Sequence, residues 1–444
     1  MEITAFRDLL ATLEGQGLLS HVSRPVDPAH ELSAVLRKVQ LGPNVAVQFD
    51  AVTGAGMPVV SNVMSRREAV AATLGVPPGD VLKTLVRREL ETKPLEVVSN
   101  APVQEIVLLA ADVDVARDIP QVVHSPRDGG AYISAGIFLA KHPDTGVYNA
   151  SWNRTQIVGG THMRVRMMAP QHLGLYHEAA EAKGQGVPAV CVIGAPPALM
   201  LAASSKIPIT SDELLVAGGW QGRSLRVAAA KTQPLMVPAD AEMVIEGEIV
   251  AFAREDEGPF GEFMDAYVEI DKNHVFKVSA ITRRRDPIYH AILAGTPEDL
   301  NLLATMLHVE IFKAVAPFAE VVDIGSPGQI MGCVVAIRRK ADTDMAAVMR
   351  AAMEAHRWMK VVIVVDADVN VHDATDVIWA MHTRFTPDRD VQHIPGVTGF
   401  SRVKGTHVGK MAFDATYPPA LESEFRRRTF PGLENIRLED YLQR

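Results

Sequence analysis

Apolar residues recur at two different spacings along this chain, and the switch between them divides it. Phe6, Leu9, Leu10 and Leu13 fall three and four apart, which is one face of a helix; Thr4 is its expected cap, and Gly15 and Gly17 stop it. Further helices are expected over residues 31–40, 66–74 and 81–87, with a short strand at 45–49. From about residue 130 the period becomes two, over 132–139, 147–158 and 162–168; in the last stretch His162, Arg164 and Arg166 alternate with Met163, Val165 and Met167. A mixed interlude (173–183, 189–193, 198–204) precedes strands at 241–253, 266–270 and 275–293. The remainder alternates helix and strand: 297–315, 329–338, 344–356, a continuous apolar run at 359–365 of the buried-strand type, and 373–385. A strand-rich middle between two α/β ends predicts a central antiparallel sheet or barrel.

Composition adjusts this picture only slightly. The length of 444 residues exceeds one ordinary core, so two or three domains are expected; 48% hydrophobic and 22% charged residues are ordinary for a folded soluble protein. A net charge of −9, with basic residues clustered only in short runs such as 283–285 and 426–428, argues against nucleic-acid binding. Cys191 and Cys333 each sit inside an apolar run and read as small buried hydrophobes. No apolar stretch of about 20 residues is present to cross a bilayer, and the first residues lack the pattern of a secretory leader. A cytoplasmic protein with no membrane partner is the expectation.

Five strings carry candidate chemistry. In Glu257-Gly-Pro-Phe-Gly-Glu262 the glycines and proline fix a turn between two carboxylates, and neighbouring carboxyls cannot both ionise cheaply, so one is suited to general acid work. An acidic surface hairpin fits the same residues. Arg154 in Asn149-Ala-Ser-Trp-Asn-Arg154 is either a bidentate carboxylate clamp or an exposed strand-end arginine. Pro170-Gln171-His172 opens a helix, where phosphate or a metal is favoured. Glu246 and Glu248 in an apolar strand need a cation or other partner. Asp366-Ala-Asp-Val-Asn-Val-His-Asp373 has metal-like spacing but also suits strand-end polar groups followed by a helix cap.

Taken in order, these strings resemble the UbiD family of prenylated-flavin decarboxylases. Matching pieces are His124-Ser-Pro-Arg-Asp-Gly-Gly-Ala-Tyr132, the Asn149–Arg154 and Pro170–His172 strings, Val237-Pro-Ala, Ile245-Glu-Gly247, Glu257–Glu262, Val365-Asp-Ala-Asp-Val-Asn370, Asp376-Val-Ile-Trp-Ala380 and Gly409-Lys-Met-Ala-Phe-Asp-Ala-Thr416. The resemblance implies an N-terminal α/β domain (1–115), a central flavin-reductase-like split β-barrel (116–305) and a C-terminal α/β dimerisation domain (306–444). It implies a carboxy-lyase acting reversibly on an aromatic, heteroaromatic or α,β-unsaturated acid through a covalent adduct with prenylated FMN. Arg154, Glu257 and Glu262 are then catalytic. Asn149, His172 and Glu246 hold a divalent metal, manganese or else magnesium, and Trp152, Asn153, Arg154 and Gln171 add contacts to the cofactor. A monovalent cation such as potassium, a flavin prenyltransferase as supplier and a homodimer or larger assembly belong to the same pattern. Ser125 follows His124 where the family often pairs histidines, so His124 receives no catalytic role. Met168, Phe263, His290, Thr296, Leu300 and Val397 are candidates for the substrate wall, His290 equally for a structural hydrogen bond. Val397, small where some members carry an aromatic, together with the minimal Gly399, favours a ring-shaped acid. A metal-dependent hydrolase built on Asp366–Asp373, or a non-catalytic flavin-binding protein, is the alternative.

Overall fold

In a computed structural model, which describes residues 2–167, 169–399 and 407–442, the helix Phe6–Gly15 buries Phe6, Leu9, Leu10 and Leu13, as their spacing requires. Its cap is Ala5 rather than Thr4. The carboxylate of Asp8 reaches back to accept the N–H groups of Thr4 and Ala5 at 3.0 and 2.8 Å, so the helix start is fastened by an acid three residues in and not by the threonine. The chain forms two compact units that meet in sequence at Glu310/Ile311, inside the helix Pro297–Val315.

In the first unit, strands Leu19–Val22, Ala46–Phe49, Val59–Ser61 and Tyr289–His290 form a four-stranded sheet in that order. The strand expected over 275–293 is therefore two strands. Arg284 to Pro287 interrupts the ladder, and the far piece crosses to the N-terminal sheet.

The strand-rich middle is one nine-stranded antiparallel sheet. Its spatial order is Tyr132–Ile133, Thr155–Gly159, His162–Val165, Asp271–Arg283, Met243–Glu257, Val187–Ile193, Ile137–Lys141 and Tyr148–Trp152, and Ile106–Leu109 adds to Asp271–Arg283. Tyr148–Trp152 and Thr155–Gly159 are joined by two residues yet stand six places apart in that order. Laid flat, six places span about 29 Å at the usual interstrand spacing. Three Cα steps cover at most about 11 Å. The sheet must therefore curl until its two ends approach, which is the barrel-like layout expected of the middle region. Asn153 and Arg154 occupy the seam, and Asn153 N–H donates to the Gly136 carbonyl at 3.1 Å, extending the pairing of Tyr148–Trp152 with Ile137–Lys141 by one rung. Phe138, Cys191, Ile245 and Phe276 fill the interior.

The second unit holds a five-stranded sheet in the order Glu320–Gly325, Gly332–Arg338, Val361–Asp366, His407–Ala415, Val391–Gly399. Val362, Val364 and Val365 are fully buried, but Val361 is exposed and Ile363 half-buried, so the apolar run is only partly the buried strand expected of it. Both cysteines are buried and free. Among the described residues no helix is long and apolar enough to cross a membrane.

Candidate active site

Arg154 sits where the curled sheet breaks, so its side chain is aimed by backbone on both sides of the seam. Nε and Nη2 donate to the two oxygens of Glu257 at 3.0 and 2.9 Å, and Nη1 donates to Glu262 Oε1 at 2.6 Å. The guanidinium lies 4.8 Å over the ring of Phe260, and Asn273 Nδ2 gives Glu257 Oε2 a further bond at 2.9 Å. Glu257 is completely buried, whereas the Glu262 side chain keeps 21% of its surface. A buried carboxylate demands paired donors, and Glu257 has three. Glu262 has the Nη1 bond, with Arg166 Nε at 3.7 Å, and it lines a cleft of about 490 Å³ with Arg37, His124 and Thr296.

The loop that carries these carboxylates is pinned by the 124–132 string. Asp128 accepts the N–H of Ser125 at 2.9 Å and that of Gly261 at 3.1 Å. Burial raises the Asp128 carboxyl above its ordinary range against those two bonds. Gly129 N–H donates to the Pro259 carbonyl at 2.8 Å, and any side chain at Gly129 would collide with the Gly258 carbonyl. Phe260 packs on Tyr132 with ring centroids 4.5 Å apart. The strand Phe260–Glu262 then pairs with Ala266–Val268, giving Glu262 a fixed platform. His124 is bonded through Nδ1 to Ser33 Oγ and through Nε2 to Ser134 Oγ, each at 3.0 Å, and burial pushes it down to about 4. Both ring nitrogens are thereby engaged by serines, while the ring also lines the cleft.

A second cluster gathers Asn149, on Tyr148–Trp152, and His172, which opens the helix His172–Glu181. Both contact Glu213, the first residue of the helix Glu213–Gln221. Asn149 Nδ2 and His172 Nδ1 each lie 3.2 Å from Glu213 Oε1. Glu213 Oε2 is buried with no hydrogen-bond partner, and burial raises the carboxyl, opposed by the His172 contact. An orphaned carboxylate oxygen between an amide and an imidazole fits a hard or borderline divalent cation.

Glu246 does not belong to this cluster, which corrects the ligand set expected from the sequence. In the ladder Asn149 pairs through Ala140 and Ala189 with Gly247, while Glu246 lies in the next row with Val190, Leu139 and Ala150. Successive residues of a strand face opposite sides, so Glu246 projects from the other face of the sheet. There it accepts the N–H groups of Lys231 and Thr232 at 2.8 and 2.6 Å and the Thr232 hydroxyl at 2.7 Å. Glu213 was missed in the sequence, although Asp212 marks a cap and a glutamate there opens an otherwise apolar helix. The Asp212 carboxylate accepts the N–H groups of Leu214 and Leu215.

The other expected positions divide. Trp152 Nε1 donates to the Met200 carbonyl and to Ser204 Oγ, Asn153 Nδ2 donates to the Arg166 carbonyl, and Gln171 is an exposed residue preceding the helix of His172. Thr296 lines the cleft beside Glu262; Phe263 and Leu300 are half-buried on the flanking turn and helix. His290 is a correction as a wall residue: it is fully buried, with Nε2 3.0 Å from Glu298 Oε1, and so is structural. Val397 lies on Val391–Gly399 of the second unit, and Met168 falls outside the described residues. Asp366 and Asp368 are consumed by Arg384 at 2.7 to 2.9 Å, and Asp373 caps the following helix through Thr375 N–H. The hydrolase alternative thereby loses its ligands.

Three family profiles match in succession: the N-terminal, Rift-related and C-terminal domains of 3-octaprenyl-4-hydroxybenzoate carboxy-lyase, over residues 10–89, 96–297 and 294–415. The chain is 32% identical to anhydromevalonate phosphate decarboxylase of Methanosarcina mazei over 96% of its own length and 99% of that protein's. The UbiD-class enzyme HmfF of Pelotomaculum thermopropionicum, solved with FMN, superposes with a TM-score of 0.92 at 33% identity, covering 99% of this chain and all of that one. The 3,4-dihydroxybenzoic acid decarboxylase of Enterobacter cloacae gives a TM-score of 0.90 at 25% identity over 97% of each chain. This chain belongs to the UbiD family of prenylated-FMN-dependent (de)carboxylases, and it is a carboxy-lyase.

Proposed function

We propose that the protein reversibly removes carbon dioxide from an aromatic, heteroaromatic or α,β-unsaturated carboxylic acid, with prenylated FMN as its cofactor and Arg154, Glu257 and Glu262 as the catalytic set. The observation that carries this reading is the unequal grip of Arg154. Two of its nitrogens are saturated by buried Glu257, which fixes the guanidinium plane, and the third holds Glu262 at the edge of a cleft. An arginine fixed in this way orients an acid substrate, and the carboxylate beside the opening is the group able to deliver a proton. When bound, the prenylated flavin supplies an electron sink for the electrons left as carbon dioxide departs. Glu262 then protonates the carbon that lost its carboxylate. Asn149, His172 and Glu213 would hold manganese or magnesium, with Trp152, Asn153 and Gln171 near the cofactor; potassium is a further candidate. A flavin prenyltransferase supplies the cofactor, and the protein works in the cytoplasm as a homodimer or larger assembly.

The relatives differ in the acids their names carry, one a phosphorylated acid and another a dihydroxybenzoic acid. A ring-shaped acid is favoured by the small residues Val397 and Gly399. The test is carbon dioxide release by protein purified from cells that make prenylated flavin, across a panel containing both kinds of acid. The purified protein should be coloured, and at least one acid should be turned over. Coloured protein inert toward the whole panel would sink the proposal in favour of a non-catalytic flavoprotein. Val397→Phe should lose activity on larger aromatic acids first; an unchanged substrate range would remove the preference for a ring.

A further inference from the structure

One wall of the cleft beside Glu262 is made by the helix Glu31–Gln40. Ser33, Arg37 and Gln40 fall four and three residues apart, so they share a face of that helix. Leu32 and Leu36, fully buried, hold the helix in the core. The shared face is fastened at both ends. Ser33 Oγ lies 3.0 Å from Nδ1 of His124, and Gln40 Nε2 donates at 2.8 Å to the Thr296 hydroxyl; His124 and Thr296 both line the cleft. Gln40 Nε2 also lies 3.1 Å from Oδ1 of Asn62, the residue after the strand Val59–Ser61.

Arg37 stands between these two fastenings and is left unmatched. It lines the cleft, yet among the described residues it makes no hydrogen bond or ion pair. Arg154 is the opposite case, since its Nε, Nη1 and Nη2 are each already bound to a carboxylate. The acids of the cleft, Asp128, Glu262 and Asp265, come from other segments. Asp128 is held by two N–H groups, Glu262 by Arg154, and Asp265 is exposed at the tip of its turn. Charge is therefore sorted within the cleft, with the carboxylates on the loops near the reaction cluster and the permanent cation on the helix wall. An unmatched guanidinium offers a planar fork of N–H donors that fits a carboxylate or a phosphate. A cleft of about 490 Å³ is within the range of small-molecule sites.

We propose that Arg37 is a specificity residue that takes a second anionic group, a carboxylate or a phosphate, on the acid whose first carboxylate is lost beside Glu262. This rests on the decarboxylase reading above and narrows its substrate to acids with two separated charges. Ser33 and Gln40 hold the helix in place, so the position of Arg37 sets how far apart those charges stand.

The experiment compares matched acids with the flavin-loaded enzyme. Each pair is identical except that one member carries a second carboxylate or, in a separate set, a phosphate. Wild type should favour the doubly charged member by at least about tenfold in kcat/KM, mainly through KM. Arg37→Met should lower kcat/KM for that member about 10–100-fold and bring the two members of a pair close together. Arg37→Lys should recover part of the preference, and added salt should shrink it in wild type. A preference confined to one set identifies which anion is taken. Equal values within every pair in wild type, or equal losses on both members in Arg37→Met, overturn the inference.

A second measurement needs no turnover: calorimetric binding of terephthalate and para-phosphonooxybenzoate, each against benzoate, by the intact holoenzyme. Tighter binding of a doubly charged probe that disappears in Arg37→Met, with carbon dioxide released from no acid, would overturn the decarboxylase reading and keep the anion site. Turnover of singly charged acids, with neither probe bound more tightly than benzoate, would overturn the anion site and keep the decarboxylase reading.

Discussion

Each unit of this protein contains an arginine held between two acidic side chains and stacked on aromatic rings. In the first unit Arg154 grips Glu257 and Glu262 over Phe260; in the second Arg384 grips Asp366 and Asp368 between Trp379 and Tyr417, at 4.9 and 4.8 Å. The chemistry of the two clusters is nearly the same, but their surroundings differ. Arg384 has no exposed side-chain surface, and Asp368 is held again by Arg427, which also binds Asp376 and stacks 3.7 Å from the Trp379 ring. Asp368 keeps 35% of its side-chain surface, more than Glu262, but both of its oxygens are held by arginines of the same unit. Around Arg154 only one carboxylate is sealed, and the other lines a cleft. An Arg-carboxylate cluster becomes a candidate reaction centre when one member faces space that a ligand can enter.

The most damaging test of this contrast is Glu262→Gln. Removing the proton donor should lower kcat about 10²–10⁴-fold while the flavin spectrum stays unchanged. Normal turnover would show that the exposed member of the cluster is not the donor, and loss of flavin would make it structural. The matching change in the second unit is Arg384→Met, which leaves Asp366 and Asp368 without their central cation. It should cost that unit about 3–5 kcal/mol in chemical denaturation. A loss below about 1 kcal/mol would mean that the cluster is not a structural lock.

A smaller effect separates the two glutamates assigned to different faces of the central sheet. Glu213→Gln should weaken retention of the divalent metal by more than about tenfold, measured by metal analysis after dialysis. Glu246→Gln should leave the metal in place, because its oxygens serve the Lys231–Thr232 backbone. The reverse result would restore Glu246 as a ligand.

The smallest expected effect is a pH slope. Burial raises Asp366 from 3.8 to about 6, against the bonds from Arg384 and Tyr417 N–H. Between those values the folded state keeps a proton that the unfolded chain has lost, so stability falls as pH rises from about 4 to about 6 and then levels. Denaturant midpoints of the second unit should show this decline at less than about 1.4 kcal/mol per pH unit, and Asp366→Asn should flatten it. A midpoint that rises over the window would reverse the sign and remove burial as the cause.

Much of the fold was legible because its signal is local. The helix of Phe6 to Leu13, the apolar strand beginning at Val361 and the period-two strands of the middle each follow from spacing that one face of the element must satisfy. The boundaries that failed are those set by long-range pairing. Residues 147–158 read as one strand-like stretch interrupted by four polar residues, Asn153–Gln156, and there the chain leaves one end of the sheet at Trp152 and rejoins near the other at Thr155. The polar run marks a break in the period but does not say where the chain goes next. The same step aims Arg154.

By itself the sequence determined the strand-rich middle between two α/β ends. It also determined the turn separating Glu257 from Glu262 and, through ordered motifs, the family and its reaction class. Tertiary structure decided which partners each carboxylate meets. It set Glu213 beside Asn149 and His172 and turned Glu246 away, because a one-residue step along a strand turns a side chain to the opposite face. It closed the Asp366–Asp368 cluster around Arg384. Periodicity fixes the face a residue occupies within its own element. Only the packing of elements against one another fixes what that face meets.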